Sequence, residues 1–468
     1  MAADPLATTT LRQRTRLAVA NERLRDSLAT AVDRFATNRV DRLAEFGNAD
    51  ELRRAARASR ADVLARLPEL LEQFADNVIR GGGHVCWATT AADATDYIIG
   101  VAQRTGARTV VKSKSMAAEE IHLNEALEAA GAKVVETDLG EWIIQLARER
   151  PSHIIAPAVH RDRYQVYDLF ERLNDSNELT PLPEDLAAFA RQRLRAEFLA
   201  ADLGISGVNF GVAEAGAVVL VTNEGNGRMV TSLPRVHVAV MGMERVVASW
   251  EQLDLLLNLL VASATGQVLS SYTSIIRGPR RRGEADGPDE FHLVILDNGR
   301  REILGSELHE ILACIRCGAC LNVCPVYRQV GGHAYGGVYP GPIGAVLTPL
   351  LESGAAGADE VPNASSLCAA CMDACPVGIP IQDLLLALRR RKATTASASG
   401  RAGWRAWAAV WSRPRLYRAS IKVGAWARPL SRAGAYLPGG RQWTVGRSLP
   451  RPARHSFLEQ WQQGIADE

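Results

Sequence analysis

Apolar positions along residues 1 to about 75 fall in long Ala/Leu/Arg-rich stretches with no strand-like alternation, which predicts helices. From His84 the pattern changes. Short apolar runs at His84–Thr89, Thr109–Ser113, Lys133–Thr137 and His153–Pro157 read as strands. Between them Ala91–Arg104, Ala117–Ala130 and Glu141–Arg150 read as helices. This alternation predicts a mostly parallel sheet covered by helices. Pro181-Leu182-Pro183 breaks the pattern and Glu184–Leu203 reads as a long helix. Further strands are expected at Val208–Ala213, Ala217–Thr222, Val236–Met241, Ser270–Ile276 and Phe291–Leu296, with one helix at Trp250–Ala262.

Four regions follow: a helical region at 1–75, an α/β domain at 76–303, a cysteine-rich segment at 304–392 and a basic C-terminal region at 393–468. Ala393–Gly400 reads as a linker by composition. No apolar run approaches the ~20 residues of a membrane helix. The polar first sixteen residues carry no secretory signal, so a reducing cytoplasm is the expected compartment.

Charge changes the picture at the C-terminus. The net charge is only +2, but residues 389–454 hold sixteen Lys and Arg and no Asp or Glu; the first 388 residues hold 38 basic and 49 acidic groups. Six of nine tryptophans lie after residue 400, and Trp404, Trp407 and Trp411 recur on one helical face. Such a basic amphipathic helix suits the acidic body of its own chain or a partner protein first. A membrane surface comes second and nucleic acid last.

Cysteine placement carries the chemistry. Seven of eight cysteines fall between Cys314 and Cys375; the other, Cys86, reads as a buried structural thiol. Cys314, Cys317, Cys320 and Cys324-Pro325 form the run by which bacterial ferredoxins hold cubane iron–sulfur clusters. Cys368, Cys371 and Cys375-Pro376 repeat it, with Ser365 where the first cysteine belongs. The crossed ligand rule predicts one cluster on Cys314, Cys317, Cys320 and Cys375, and a second on Cys324, Cys368 and Cys371. The second is a thiolate short. It is either a [3Fe–4S] centre or a [4Fe–4S] centre completed by water, Ser365 or a partner's side chain. Zinc is the competing metal, but seven cysteines with two Cys-Pro steps fit it poorly.

Elsewhere the chemistry is sparser. Val221–Arg228 runs from a buried strand into a glycine loop, followed by Thr231, Ser232 and Arg235. It reads first as a strand-end turn with a solvated carboxylate. Glu214 and Glu224 become acid/base candidates only if a cavity encloses them. Lys112-Ser113-Lys114-Ser115 reads as a solvated loop, with anion binding the alternative. His237 reads as a core histidine, and His122, His153 and His160 lack metal-like spacing.

Gly211–Gly216, Val221–Gly227, the two cysteine groups and Tyr339-Pro340-Gly341-Pro342-Ile343-Gly344 together resemble the lactate utilization protein B family across residues 15 to 450 or so. The resemblance implies a LUD domain, with an α/β fold like that of sugar-phosphate isomerases and CoA transferases, joined to a two-cluster ferredoxin-like domain. It implies an electron-carrying subunit in the oxidation of L-lactate to pyruvate. Its partners would be a cysteine-rich subunit, a second LUD-domain subunit and an electron acceptor, with the tail reaching the inner membrane face if it binds lipid. The alternative function is an oxidoreductase whose own LUD domain binds a small organic acid or phosphate while the clusters serve its redox step. A closed basic pocket around Glu224 and Arg228 would favour that alternative.

Overall fold

The structure is a computed structural model and describes residues 9–174, 179–352, 357–394, 397–426 and 453–464. Helices Leu11–Ala20, Glu22–Glu45, Ala49–Ala65 and Leu67–Arg80 open the chain, so the expected helical region extends a few residues further. Leu67–Arg80 buries Leu67, Leu70, Leu71, Phe74 and Val78, spaced to line one face.

Ten strands follow: β1 (His84–Ala88), β2 (Thr109–Lys112), β3 (Lys133–Glu136), β4 (Leu203–Gly207), β5 (Phe210–Val212), β6 (Ala217–Thr222), β7 (Val236–Gly242), β8 (Val246–Val247), β9 (Tyr272–Ile276) and β10 (Glu290–Leu296). Six of them form a wholly parallel sheet in the order β1-β10-β7-β4-β2-β3. The other four form a second sheet, β8-β5-β6-β9, with antiparallel β5–β6 and β6–β9 pairs. The expected α/β class holds, with two sheets rather than one. Parallel strands must be covered on both faces. Apolar clusters lie on each side, one under Ile98 and Leu127 and the other under Phe74 and Val78.

Several expected elements differ. His153–Pro157 is not a strand: the chain bends so that the His153 ring accepts the backbone N–H groups of Ile155 and Ala156, at 3.1 and 3.3 Å. The helix expected at 117–130 breaks at His122, which is left-handed (φ 51°). The long helix ends at Leu199, and Leu203 begins β4 instead. Ala393–Gly400 is not simply a linker, because helices Ile381–Thr394 and Ala398–Trp411 occupy most of it.

The cysteine segment shares one continuous core with the N-terminal helices. Leu28 and Val32 pack in the same cluster as Leu312, Ile315, Leu321 and Tyr327. Tyr339–Gly344 closes this core: a Cβ on Gly344 would sit 1.6 Å from the Tyr339 carbonyl oxygen. Residues 389–468 form a separate unit. In it, Trp404, Trp407 and Trp411 share one face of helix Ala398–Trp411, half-exposed or more, with the latter two stacked at 5.3 Å. Trp443 lies outside the described residues. No described helix is long and apolar enough to cross a membrane.

Candidate metal centre and adjoining cavity

The two cysteine groups fold alike. Arg316 and Gly318, at φ 60° and 77°, bracket Cys317; Leu367 and Ala369, at 57° and 66°, bracket Cys368. Short helices follow at Ala319–Asn322 and Ala370–Asp373. Three non-glycine residues in left-handed geometry cost roughly 1–2 kcal/mol each, so the fold spends stability to turn these loops inward. Backbone N–H groups point at the sulfurs: Arg316 donates to Cys314 Sγ (3.3 Å), Tyr327 to Cys324 Sγ (3.4 Å) and Ile379 to Cys375 Sγ (3.4 Å).

The groups interleave. Cys317 neighbours Cys375, Cys314 and the Arg39 guanidinium, and Cys320 neighbours Cys317, Cys314, Cys371 and Cys375. Cys324 faces Cys368, and Cys371 faces both. Five of the seven are buried; Cys314 is half-buried and Cys368 is exposed. Burial, then the neighbouring Cys375, pushes the Cys317 thiol up to about 12; burial, then Cys324, does the same to Cys371. Such thiols stay protonated unless a metal replaces the protons.

Arginines hold the loops by their carbonyls, a feature the sequence reading missed. Arg39 donates to Ala374 O at 2.8 Å, and Arg53 to Asp373 O and Cys375 O at 2.8 and 3.1 Å. Arg60 binds Leu312 O and Ala313 O, and Arg245 binds Cys314 O at 2.7 Å. Arg53, Arg57 and Arg60 recur at i, i+4 and i+7, which was a legible sign of one helix face. Arg39 is informative. It is 8% exposed, its Nε lacks a hydrogen-bond partner, and no carboxylate among the described residues pairs with it. Burial lowers its pKa, and Cys317 and Cys375 oppose that. An anionic thiolate-bound cluster is the counter-charge this position lacks, so the residues present fit such a group.

The remaining candidates sort differently. His237 is a core histidine, fully buried and bonded to Ser206. His153 is buried and ties the bend at 153–157 to the first cysteine loop through Asn322 (3.1 Å). His160 meets Glu149 and His333, but Arg161 also occupies Glu149 at 2.7 Å. Cys86 is half-buried on the edge strand β1, less enclosed than expected. Glu214 takes the Trp250 N–H at 2.9 Å, at the start of helix Trp250–Thr265, and has no catalytic enclosure.

Two expectations are overturned together. Lys112, Ser113 and Ser115 are buried, not a solvated loop. Glu224 is half-buried. Both segments line a cavity of about 570 Å³ at the carboxyl ends of β2, β4 and β7, and Arg245, Arg316 and Tyr339 line it too. Arg228 faces a different concavity, with Glu214.

The chain matches the LUD domain over residues 71–296, the 4Fe-4S dicluster domain over 310–379 and the lactate utilisation protein B C-terminal domain over 387–464. It is 49% identical over 447 residues to lactate utilization protein B of Shouchella clausii, covering 93% of each chain. The chain belongs to the lactate utilization protein B family. The Bacillus licheniformis member of the family is also 49% identical, over 448 residues, 94% of this chain and 93% of its own. An Escherichia coli protein named uncharacterized electron transport protein YkgF is 45% identical over 98% of both chains. Membership of the family and the dicluster domain make iron–sulfur clusters the cofactor class of the cysteine loops.

Proposed function

We propose that this protein is the iron–sulfur electron-transfer subunit of a multi-subunit system that oxidises L-lactate to pyruvate. A cysteine-rich subunit and a second LUD-domain subunit are its proposed partners. The interleaving of the two cysteine loops carries the reading. Cys314, Cys317, Cys320 and Cys375 hold the first cluster; Cys324, Cys368 and Cys371 hold the second. Bound there, the clusters supply one-electron redox chemistry. The protein's own part is to aim backbone N–H groups at the sulfurs, bury three of the four cysteines of the first set and leave the second at the surface through Cys368.

The missing corner has a candidate. Leu367 N–H donates to Ser365 Oγ at 3.1 Å, as Arg316 N–H donates to Cys314 Sγ at 3.3 Å. With matching φ angles around it, Ser365 stands where the first loop places its first ligand. Both centres are therefore proposed as [4Fe–4S], with Ser365 at the fourth corner of the second.

Cys375→Ser against Cys371→Ser tests the crossing, by iron content and low-temperature EPR on anaerobic protein. Cys375→Ser should remove the buried cluster and spare one whose signal a water-soluble paramagnet broadens. Cys371→Ser should leave a shielded one. The reverse pattern, or loss of the surface cluster in both, rejects the assignment.

A further inference from the structure

The cavity beside the cysteine loops has groups that nothing in the protein satisfies. Among the described residues, Lys114 Nζ, Arg316 NH1 and Asn226 Oδ1 are buried atoms without a hydrogen-bond partner. Asn226 is 4% exposed, and all three residues line the cavity. A carboxyl does approach Lys114: Glu141 Oε1, at 3.8 Å, itself unpartnered. Burial pushes Glu141 up to about 8, so near neutral pH it is largely uncharged and does not neutralise the lysine; Glu224 is a second carboxyl in the lysine's field, and Asp138 lines the same cavity. Glu224 takes a single backbone N–H, from Leu139 at 3.2 Å, and burial with Asp138 nearby raises it to about 7. Ile154, Val208, Leu220 and Leu260 supply apolar lining. At about 570 Å³ the space lies within the ~300–1,000 Å³ typical of sites for drug-sized ligands, well beyond what a three-carbon acid fills.

We propose that this cavity binds an organic anion of cofactor size, its phosphate or carboxylate on Lys114, donor groups toward Glu224 and Asn226, and its body along the apolar lining. Arg316 places that ligand beside the first cluster loop: its side chain lines the cavity, while its backbone N–H is bonded to Cys314 Sγ. The site uses no cysteine, so it stands apart from the ligand assignment above.

The test is anaerobic equilibrium binding to the full chain. Flavin mononucleotide serves as the phosphate-bearing probe, phenylpyruvate as the carboxylate-bearing one, and L-lactate and inorganic phosphate as small anions. The expected result is that one large probe binds at least tenfold more tightly than either small anion, and which one binds identifies the acidic group. Lys114→Met should weaken that binding at least tenfold. Glu224→Gln should shift affinity less and flatten its dependence on pH around 7. Unchanged cluster EPR in both variants shows that the fold is kept. The proposal is overturned if neither large probe binds the wild type, if only the small anions bind, or if Lys114→Met with intact EPR binds as well as wild type.

Discussion

Arg39→Met should make the buried cluster harder to reduce. Arg39 is a buried cation that donates to the Ala374 carbonyl, and its neighbours are Cys317, Cys375 and the like-charged Arg53. Reduction adds an electron beside this cation, so the arginine favours the reduced form. A unit charge at a separation of roughly 7 Å and an effective dielectric of ~20 contributes ~2 kcal/mol. With ~1.4 kcal/mol and ~59 mV each equal to tenfold for one electron, that is on the order of 100 mV. Relaxation and water entry reduce it, so the expected shift is roughly 50–100 mV more negative. An EPR-monitored redox titration reads it directly. Arg39→Lys keeps the charge and should stay near wild type, although it loses the planar fork. Arg54→Met removes an exposed charge and should shift the potential far less, because solvent screens it. An unchanged or higher potential in Arg39→Met, with the cluster retained, would refute the argument that this arginine is the cluster's counter-charge.

Two further outcomes follow from the buried polar groups. Arg60 also donates to Val246 O at 2.9 Å and to Glu244 O, so one guanidinium joins the sheet's end to the first cysteine loop. Arg60→Met strands those carbonyls and should destabilise the protein by roughly 3–5 kcal/mol, read as a lower thermal midpoint with earlier cluster loss; an unaltered midpoint contradicts this. His153 and His237 are both held down to about 3, by burial first. Each is neutral when folded and charges near 6.5 when unfolded, so acid favours the unfolded chain. Stability is full above pH 6.5 and should fall by about 1.4 kcal/mol per unit per histidine as pH drops toward 3. The thermal midpoint of His237→Asn should therefore decline less between pH 7 and 5 than that of wild type, and equal slopes would count against the reading.

Much of this was legible in the sequence, for identifiable reasons. The strands β2, β3, β6, β7 and β10 are buried in their sheets and so read as apolar runs. β4, Leu203-Gly204-Ile205-Ser206-Gly207, did not. Its glycines lower its strand signal but are required by packing, since a Cβ on Gly204 would lie 2.0 Å from Val230 O. Ile154-Ile155 misled in the other direction: apolar and β-branched, they serve a bend around His153. Ala393–Gly400 read as a linker because of its serines and threonines, yet its alanines are strong helix formers. The cofactor class was readable because cluster geometry fixes the cysteine spacing locally. The cavity was not, because Lys114, Glu224 and Arg316 are about 100 residues apart in sequence and meet only through the sheet's topology.

That topology also bears on direction. The carboxyl ends of the parallel strands face the cavity, the cavity meets Arg316, and Arg316 belongs to the loop of the buried cysteine set. Cys320 of that set neighbours Cys371 of the other, and Cys371 leads to the exposed Cys368. A protein that only stored electrons would gain nothing from this gradient of burial. One that takes them from an enclosed site and delivers them to a docking protein needs an inner relay shielded from water and an outer one within reach of a partner. The short second cysteine group fits the outer role. An oxygen ligand at Ser365 would change the potential of the exposed centre relative to the all-thiolate inner one. Ser365→Cys should therefore alter the potential of the surface cluster alone. If it moved that of the buried cluster instead, the assignment of inner and outer relays would have to be exchanged.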